Sequence, residues 1–335
     1  MLAAYCTSKE TIEVKDGPSA EPGAGEVTVR VRSCGICGSD LHFYHGALPA
    51  MASVPPGHEF AGEISALGEG VSGWAVGDRV VVEPIRSCRD CEYCTSGRYH
   101  LCPRRVLLGT FHPGGLAEAV TVPAYTLYRL PDSLDFELGA LVEPLAVAVH
   151  GLHIVNVAAG EKVLVLGSGT IGLMSVAAVR YAGADVVATY RHDHQGEAAQ
   201  RLGASRVVRG SEMTGLEMEG FDAVIETIGG TAPTLTQALG IVRAGGRVSV
   251  LGLFTQPTSL HALNLMLKEI SVVGGITYCR PGLHSDFDTA LRILEQHGET
   301  LRTLVTHRFS LSQAAEAFAT AADKSSNSVK VHVNP

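Results

Sequence analysis

An apolar strand, Val163–Leu166, runs directly into Gly167-Ser-Gly-Thr-Ile-Gly172, and that loop runs into a helical stretch, Leu173–Tyr181. Glycines at Gly167, Gly169 and Gly172 permit a tight turn, close approach of a pyrophosphate and close helix packing. Thr170 and Ile171 belong to this cofactor-binding loop, and the phosphates are held at the N-terminus of the helix that follows it. A glycine-rich loop without a ligand is the alternative, and the strand before and helix after it argue against that. From Lys162 onward, buried strands alternate with longer segments of helical period. The strands are Val163–Leu166, Val186–Thr189, Arg206–Val208, Ala223–Glu226, Arg247–Leu251 and Ser271–Val273. This alternation predicts an α/β fold built on a doubly wound parallel sheet.

The segments on either side read differently. Glu26–Val31 and a series of glycine- and proline-punctuated short strands predict a β-rich, barrel-like first domain. The tail shows helical period around Phe287–His297 and Gln313–Ala322, then a strand over Ser328–Val333, and is placed back on that first domain. With 335 residues, 46% of them apolar, the chain can bury two separate cores. The expected division is residues 1–150 plus 286–335 against 151–285. A formal net charge of −8 argues against a phosphate-tracking, nucleic-acid-binding surface and leaves room for a local basic pocket. The longest apolar stretch, Leu138–Val157, carries Glu143, Pro144, His150, His153 and Asn156, so no membrane span is expected. Met1–Val14 lacks the apolar run of a signal peptide, and the expected location is cytoplasmic.

Four of the eight cysteines, Cys88, Cys91, Cys94 and Cys102, form C-x2-C-x2-C-x7-C. In a reducing compartment that spacing suits four thiolates around one structural Zn²⁺, whose binding supplies folding energy that so small a loop cannot obtain by packing. An iron–sulfur cluster is the metal alternative. Elsewhere, Gly35-Ile-Cys-Gly-Ser-Asp-Leu-His42 and Gly57-His-Glu-Phe-Ala-Gly62 offer a thiolate, an imidazole and a carboxylate within one domain; packed Cys and His side chains, and Glu59 as a buried ion-pair partner, are the plain alternatives.

Taken in order, these two motifs, the cysteine lobe, Glu143-Pro-Leu-Ala and the Val165–Gly172 loop resemble the medium-chain zinc-dependent dehydrogenases, in the polyol (sorbitol) and threonine dehydrogenase branch. The resemblance covers essentially the whole chain. It implies a GroES-like catalytic domain and a Rossmann dinucleotide-binding domain. It also implies a catalytic zinc held by Cys37, His58 and Glu143, with Glu59 able to exchange as a ligand. A bound zinc would stabilise negative charge on a substrate oxygen while hydride passes to nicotinamide. Ser39, the cofactor ribose and His42 would relay the alcohol proton outward, and Asp40 would orient a ligand imidazole. For Ser39 and His42, a helix cap and a surface residue are the plain alternatives. Thr277-Tyr278-Cys279 departs from the Arg-Tyr pair that polyol dehydrogenases of this family often carry.

An NAD enzyme places an acidic residue at the end of the second strand, about 20 residues beyond the glycine loop. Here Tyr190 holds that place, followed by Arg191 and His192. Arg191 can take a 2′-phosphate, so NADP(H) is favoured; Asp193 keeps NAD(H) open, and a merely solvated Arg191 is the alternative. Leu251, Leu253, Gly275 and Ile276 end later strands where a nicotinamide would lie. The expected activity is hydride transfer between NADP(H) and a secondary alcohol (polyol, cyclitol or amino alcohol) or its ketone. The expected assembly is a homodimer or homotetramer. A catalytically silent redox sensor and a zinc-ribbon interaction module are the competing classes.

Overall fold

The computed structural model describes residues 1–18, 20–47 and 53–335. The chain forms two compact units, Met1–Glu143 with Cys279–Pro335, and Pro144–Tyr278.

The first unit is built on a seven-stranded sheet whose main path runs Val305–Ser310, Lys330–Asn334, Glu26–Gly35, Glu59–Leu67, Arg79–Val82, Leu127–Arg129, with Ala119–Pro123 also paired to Glu26–Gly35. Inward valines of Glu26–Gly35 pack with Val80, Val82, Val120 and Val122, and with Phe318 from the helix Ala314–Ala322. Each such valine, fully removed from water, contributes about 1.5–3 kcal/mol. The strand continues past the expected Val31 to Gly35, because Lys330–Asn334 pairs with its far end: Gly35 lies opposite both Glu59 and His332. The tail helix also runs longer than expected, over Asp286–Arg302, started by a capping box in which Ser285 and Asp288 exchange hydrogen bonds. Val305–Ser310 is a strand that periodicity did not reveal. At the N-terminus the chain forms a hairpin, Leu2–Ser8 with Thr11–Asp16.

The second unit is a six-stranded, all-parallel sheet ordered Arg206–Arg209, Asp185–Tyr190, Lys162–Leu166, Phe221–Glu226, Val242–Val250, Ser271–Gly274. All six expected strands are present. The order reverses between Lys162–Leu166 and Phe221–Glu226, the switch point at which such sheets bind ligands beyond their carboxyl ends. Val163, Leu164, Val165 and Leu166 are fully buried, as the covering helices of a parallel sheet require. Among the described residues, no helix is long and apolar enough to cross a membrane.

Candidate active site and dinucleotide cradle

Strand Glu26–Gly35 hands the chain to a short helix, Gly38–Tyr44, with Cys37 at its N-cap. Asp40 ties this turn to His58: its Oδ2 accepts a 2.9 Å hydrogen bond from Cys37 N, and its Oδ1 lies 3.7 Å from His58 Nδ1. A carboxylate in that place fixes the ring of a metal-binding histidine. The ligand atoms of Cys37, His58 and Glu59 lie within 4.8 Å of one another. His58 Nδ1 and Asp40 Oδ1 are buried and, among the described residues, have no hydrogen-bond partner. Thiolate, imidazole and carboxylate converging on one point suit a zinc ion.

Charge balance at this point comes from a residue that the motifs do not contain. Lys330 Nζ donates to Glu59 Oε1 at 2.8 Å, Glu59 Oε2 at 2.6 Å and the Ile36 carbonyl at 3.1 Å, with the Lys330 and Glu59 side chains only 2% and 0% exposed. Burial opposes the charge of Lys330, yet Glu59, Cys37 and Glu143 hold its pKa above the ordinary lysine value. His58 behaves alike: burial opposes its protonation, but Asp40, Cys37 and Glu143 raise its pKa well above 6.5. Both shifts report a buried negative potential of the kind a cation neutralises. Asp40 is itself pushed up, first by burial, with His58 pulling against it.

Glu143, in the first turn of helix Val142–His153, is 5% exposed and close enough to shift both His58 and Lys330, although the tight cluster is completed by Glu59. Ser39 and His42 are half-buried and three residues apart, hence on one face of their helix. The signal that could have exposed Lys330 is the alternation Val329-Lys-Val-His-Val, which sets Lys330 and His332 together on one face of a strand buried on both.

In the cysteine lobe, Cys88 and Cys94 sulfurs lie 3.7 Å apart, Cys91 and Cys94 3.5 Å, and Cys88 and Cys102 3.4 Å. Disulfide sulfurs would be about 2 Å apart. A tetrahedron with arms of about 2.3 Å has edges of roughly 3.8 Å, so the four thiols fit one zinc ion.

In the second unit, Gly167, Ser168 and Gly169 line a cavity of about 520 Å³ together with Tyr190, Arg191, Gln195, Arg209, Gly210, Ser211, Thr227 and Ile228. Gly172 is the third residue of the helix Thr170–Tyr181, where a Cβ would fall 1.9 Å from the Gly167 carbonyl oxygen, so only glycine lets helix and loop approach this closely. Arg209 lies over the Tyr190 ring at 5.1 Å, donates to the Arg191 carbonyl at 3.3 Å and pairs with Asp193. Sequence reasoning missed Arg209 because it ends the third strand, Arg206–Arg209, and meets the second through parallel pairing, Tyr190 opposite Arg209. Thr170 and Ile171 begin the loop's helix, and His192 caps the helix Asp193–Arg201. Leu251 and Leu253 follow strand Val242–Val250, and Gly275 and Ile276 follow Ser271–Gly274; none of the four lines this cavity.

Residues 23–132 match the alcohol dehydrogenase GroES-like domain, and residues 170–296 match the zinc-binding dehydrogenase domain. Sorbitol dehydrogenase of Halalkalibacterium halodurans is 35% identical over 333 residues, covering 96% of this chain and 95% of that protein. The chain belongs to the medium-chain zinc-dependent alcohol dehydrogenase family. L-threonine 3-dehydrogenase of Pectobacterium atrosepticum is another member, 34% identical over 339 residues, 97% of this chain and 91% of that protein. A crystal structure from Sinorhizobium meliloti 1021, described as a zinc-binding dehydrogenase bound to NADP, superposes with a TM-score of 0.89 at 32% identity, covering 100% of this chain and 99% of that one. Members of the family act on alcohols, in the polyol and threonine branch to which this chain is similar.

Proposed function

We propose that this chain transfers a hydride between NADP(H) and a secondary alcohol of the polyol, cyclitol or amino-alcohol kind, or the corresponding ketone. The observation that carries the cofactor assignment is the end of strand Asp185–Tyr190. The first carboxylate beyond it, Asp193, is paired with Arg209, while Arg191 and Arg209 both line the cavity beside the glycine loop. A ribose diol calls for a carboxylate acceptor there, whereas a 2′-phosphate calls for guanidinium donors. The NADP-bound relative from S. meliloti is in keeping with this reading.

Cys37, His58 and Glu143 would hold the reactive zinc, with Glu59 as the exchangeable carboxylate; when bound, the ion supplies positive charge at the substrate oxygen. Asp40 faces the His58 ring at 3.7 Å, placed to orient it, and Lys330 holds both oxygens of Glu59. Ser39 Oγ and the His42 ring pass the alcohol proton outward. Cys88, Cys91, Cys94 and Cys102 would hold a second, structural zinc. Gly167, Gly169 and Gly172, with Thr170 and Ile171, seat the pyrophosphate at the helix N-terminus. Tyr190, Arg191 and His192 flank the adenosine ribose, and Leu251, Leu253, Gly275 and Ile276 flank the nicotinamide. The edge position of strand Ser271–Gly274 supports pairing of two copies.

The test is a panel of secondary alcohols and ketones assayed with both cofactors on zinc-replete protein, following reduced-nicotinamide absorbance. A kcat/KM at least about tenfold higher with NADP is expected, equivalent to about 1.4 kcal/mol. A clear NAD preference refutes the cofactor assignment. Bound cofactor with no turnover across the panel refutes the reaction. Cys37→Ser should abolish turnover and leave cofactor binding intact.

A further inference from the structure

A second polar cavity, of about 310 Å³, lies wholly within the first unit, beside the cysteine lobe. Its floor is Glu83, which follows the strand Arg79–Val82 and is only 6% exposed. Tyr99, between Cys94 and Cys102, and Tyr128, on strand Leu127–Arg129, both donate to Glu83 Oε2 at 3.0 Å. Burial pushes the Glu83 carboxyl up to about 7, against the pull of both tyrosines and of Arg280. The rim carries two guanidiniums. Arg89 rests over the Tyr125 ring at 4.8 Å. Arg280 is held by backbone, its N donating to Gly97 O at 3.0 Å, and by side chain, its Nη1 donating to Leu283 O at 3.2 Å and its Nη2 lying 3.8 Å from Asp288 Oδ2, a loose pair that a bound carboxylate would have to share. Ser87 adds a hydroxyl to the wall.

This arrangement discriminates among ligands. Two arginines repel a cation and recruit a carboxylate or other small anion. The tyrosine hydroxyls are taken up by Glu83, so the groups left to a ligand are the guanidiniums of the rim, the Ser87 hydroxyl and the remaining carboxyl lone pairs; an apolar molecule would cover these polar groups without pairing them, at a cost of about 1–3 kcal/mol each. A compact polyanion would press its charge against Glu83, so the matching molecule carries one charge at the rim and neutral hydroxyls toward the floor. The volume is near the lower end of ligand pockets, about 300–1,000 Å³. The geometry points to a binding site for a small polyhydroxylated carboxylate, of the sugar-acid class, between Glu83 and the Arg89–Arg280 rim, apart from the Cys37–His58 centre.

The experiment is calorimetric titration of zinc-replete protein with D-gluconate, with D-sorbitol and acetate as probes lacking the charge or the hydroxyls. Gluconate should bind with a Kd of about 0.1–1 mM, and the two partial probes at least about tenfold more weakly. Arg280→Gln and Arg89→Gln should each weaken gluconate about tenfold or more while leaving alcohol turnover and zinc content unchanged. Glu83→Gln should keep gluconate binding and remove the weakening otherwise seen as pH rises through about 7. Lack of binding up to on the order of 10 mM overturns the site. So does binding indifferent to both arginine substitutions, or a soaked crystal with gluconate beside Cys37 and His58 and none at Glu83.

Discussion

Replacing Lys330 by methionine keeps an unbranched side chain one heavy atom shorter and removes its charge, leaving Glu59 as a fully buried carboxylate stripped of its ion-pair partner. In the native chain that partner makes contacts of 2.6 and 2.8 Å to the two carboxylate oxygens, and neither side chain is more than 2% exposed. Solvent therefore screens little of the pair, and the small values typical of surface salt bridges do not apply. Removing one partner of such a pair destabilises by about 3–5 kcal/mol, most of it the desolvation of the charge left behind. At about 2–4 °C per kcal/mol, the melting temperature of metal-stripped protein should fall by roughly 6–20 °C. The double variant Lys330→Met with Glu59→Gln removes both charges and should recover more than half of that loss. The coupling energy from this cycle isolates the pair from the packing of either chain. In zinc-loaded protein the single variant should lose less, because the ion compensates part of the Glu59 charge. The assay is calorimetric unfolding of the four proteins, with and without zinc. A single variant within about 1 kcal/mol of wild type, or a double variant no more stable than the sum of the singles, would refute the reasoning.

Arg191→Ala and Arg209→Ala should each lower kcat/KM with NADP by about 10–100-fold, or about 1.4–2.8 kcal/mol, and change it little with NAD; equal losses with both cofactors would contradict a 2′-phosphate role. Gly172→Ala places a Cβ 1.9 Å from the Gly167 carbonyl oxygen, so the loop must shift and cofactor KM should rise about tenfold or more; titration of cofactor by fluorescence checks this. Cys94→Ser should release one zinc per chain and lower stability by several kcal/mol, as metal analysis and melting would report. Glu83 has a folded-state pKa raised from 4.5 to about 7, so its contribution to stability is complete below about pH 4.5 and is lost as pH rises through about 7. The loss is about 3 kcal/mol at most. Glu83→Gln should flatten that part of the stability curve, and an unchanged pH profile would show that Glu83 titrates alike folded and unfolded.

Which of these residues could be read from the sequence follows from how far apart in the chain their partners lie. The glycine loop, the six parallel strands and the four-cysteine lobe are local patterns, each complete within a few dozen residues and each with a period or spacing tied to a geometry. Cys37, His58 and Glu59 also sit in short motifs, so their types announce a metal before their contacts are known. Lys330 announces nothing, because its partner Glu59 is 271 residues away and the two meet only through strands paired on either side of Gly35. Arg209 is similar, since its place beside Arg191 comes from the register that sets it opposite Tyr190. Strand Val305–Ser310 went unread because it lies at the edge of its sheet with only Val305 buried and no apolar alternation. Motifs thus name the groups that would touch metal and cofactor. The groups that balance their charge are set by strand register, where a one-residue slip would turn Lys330 away from Glu59 and leave the carboxylate uncompensated.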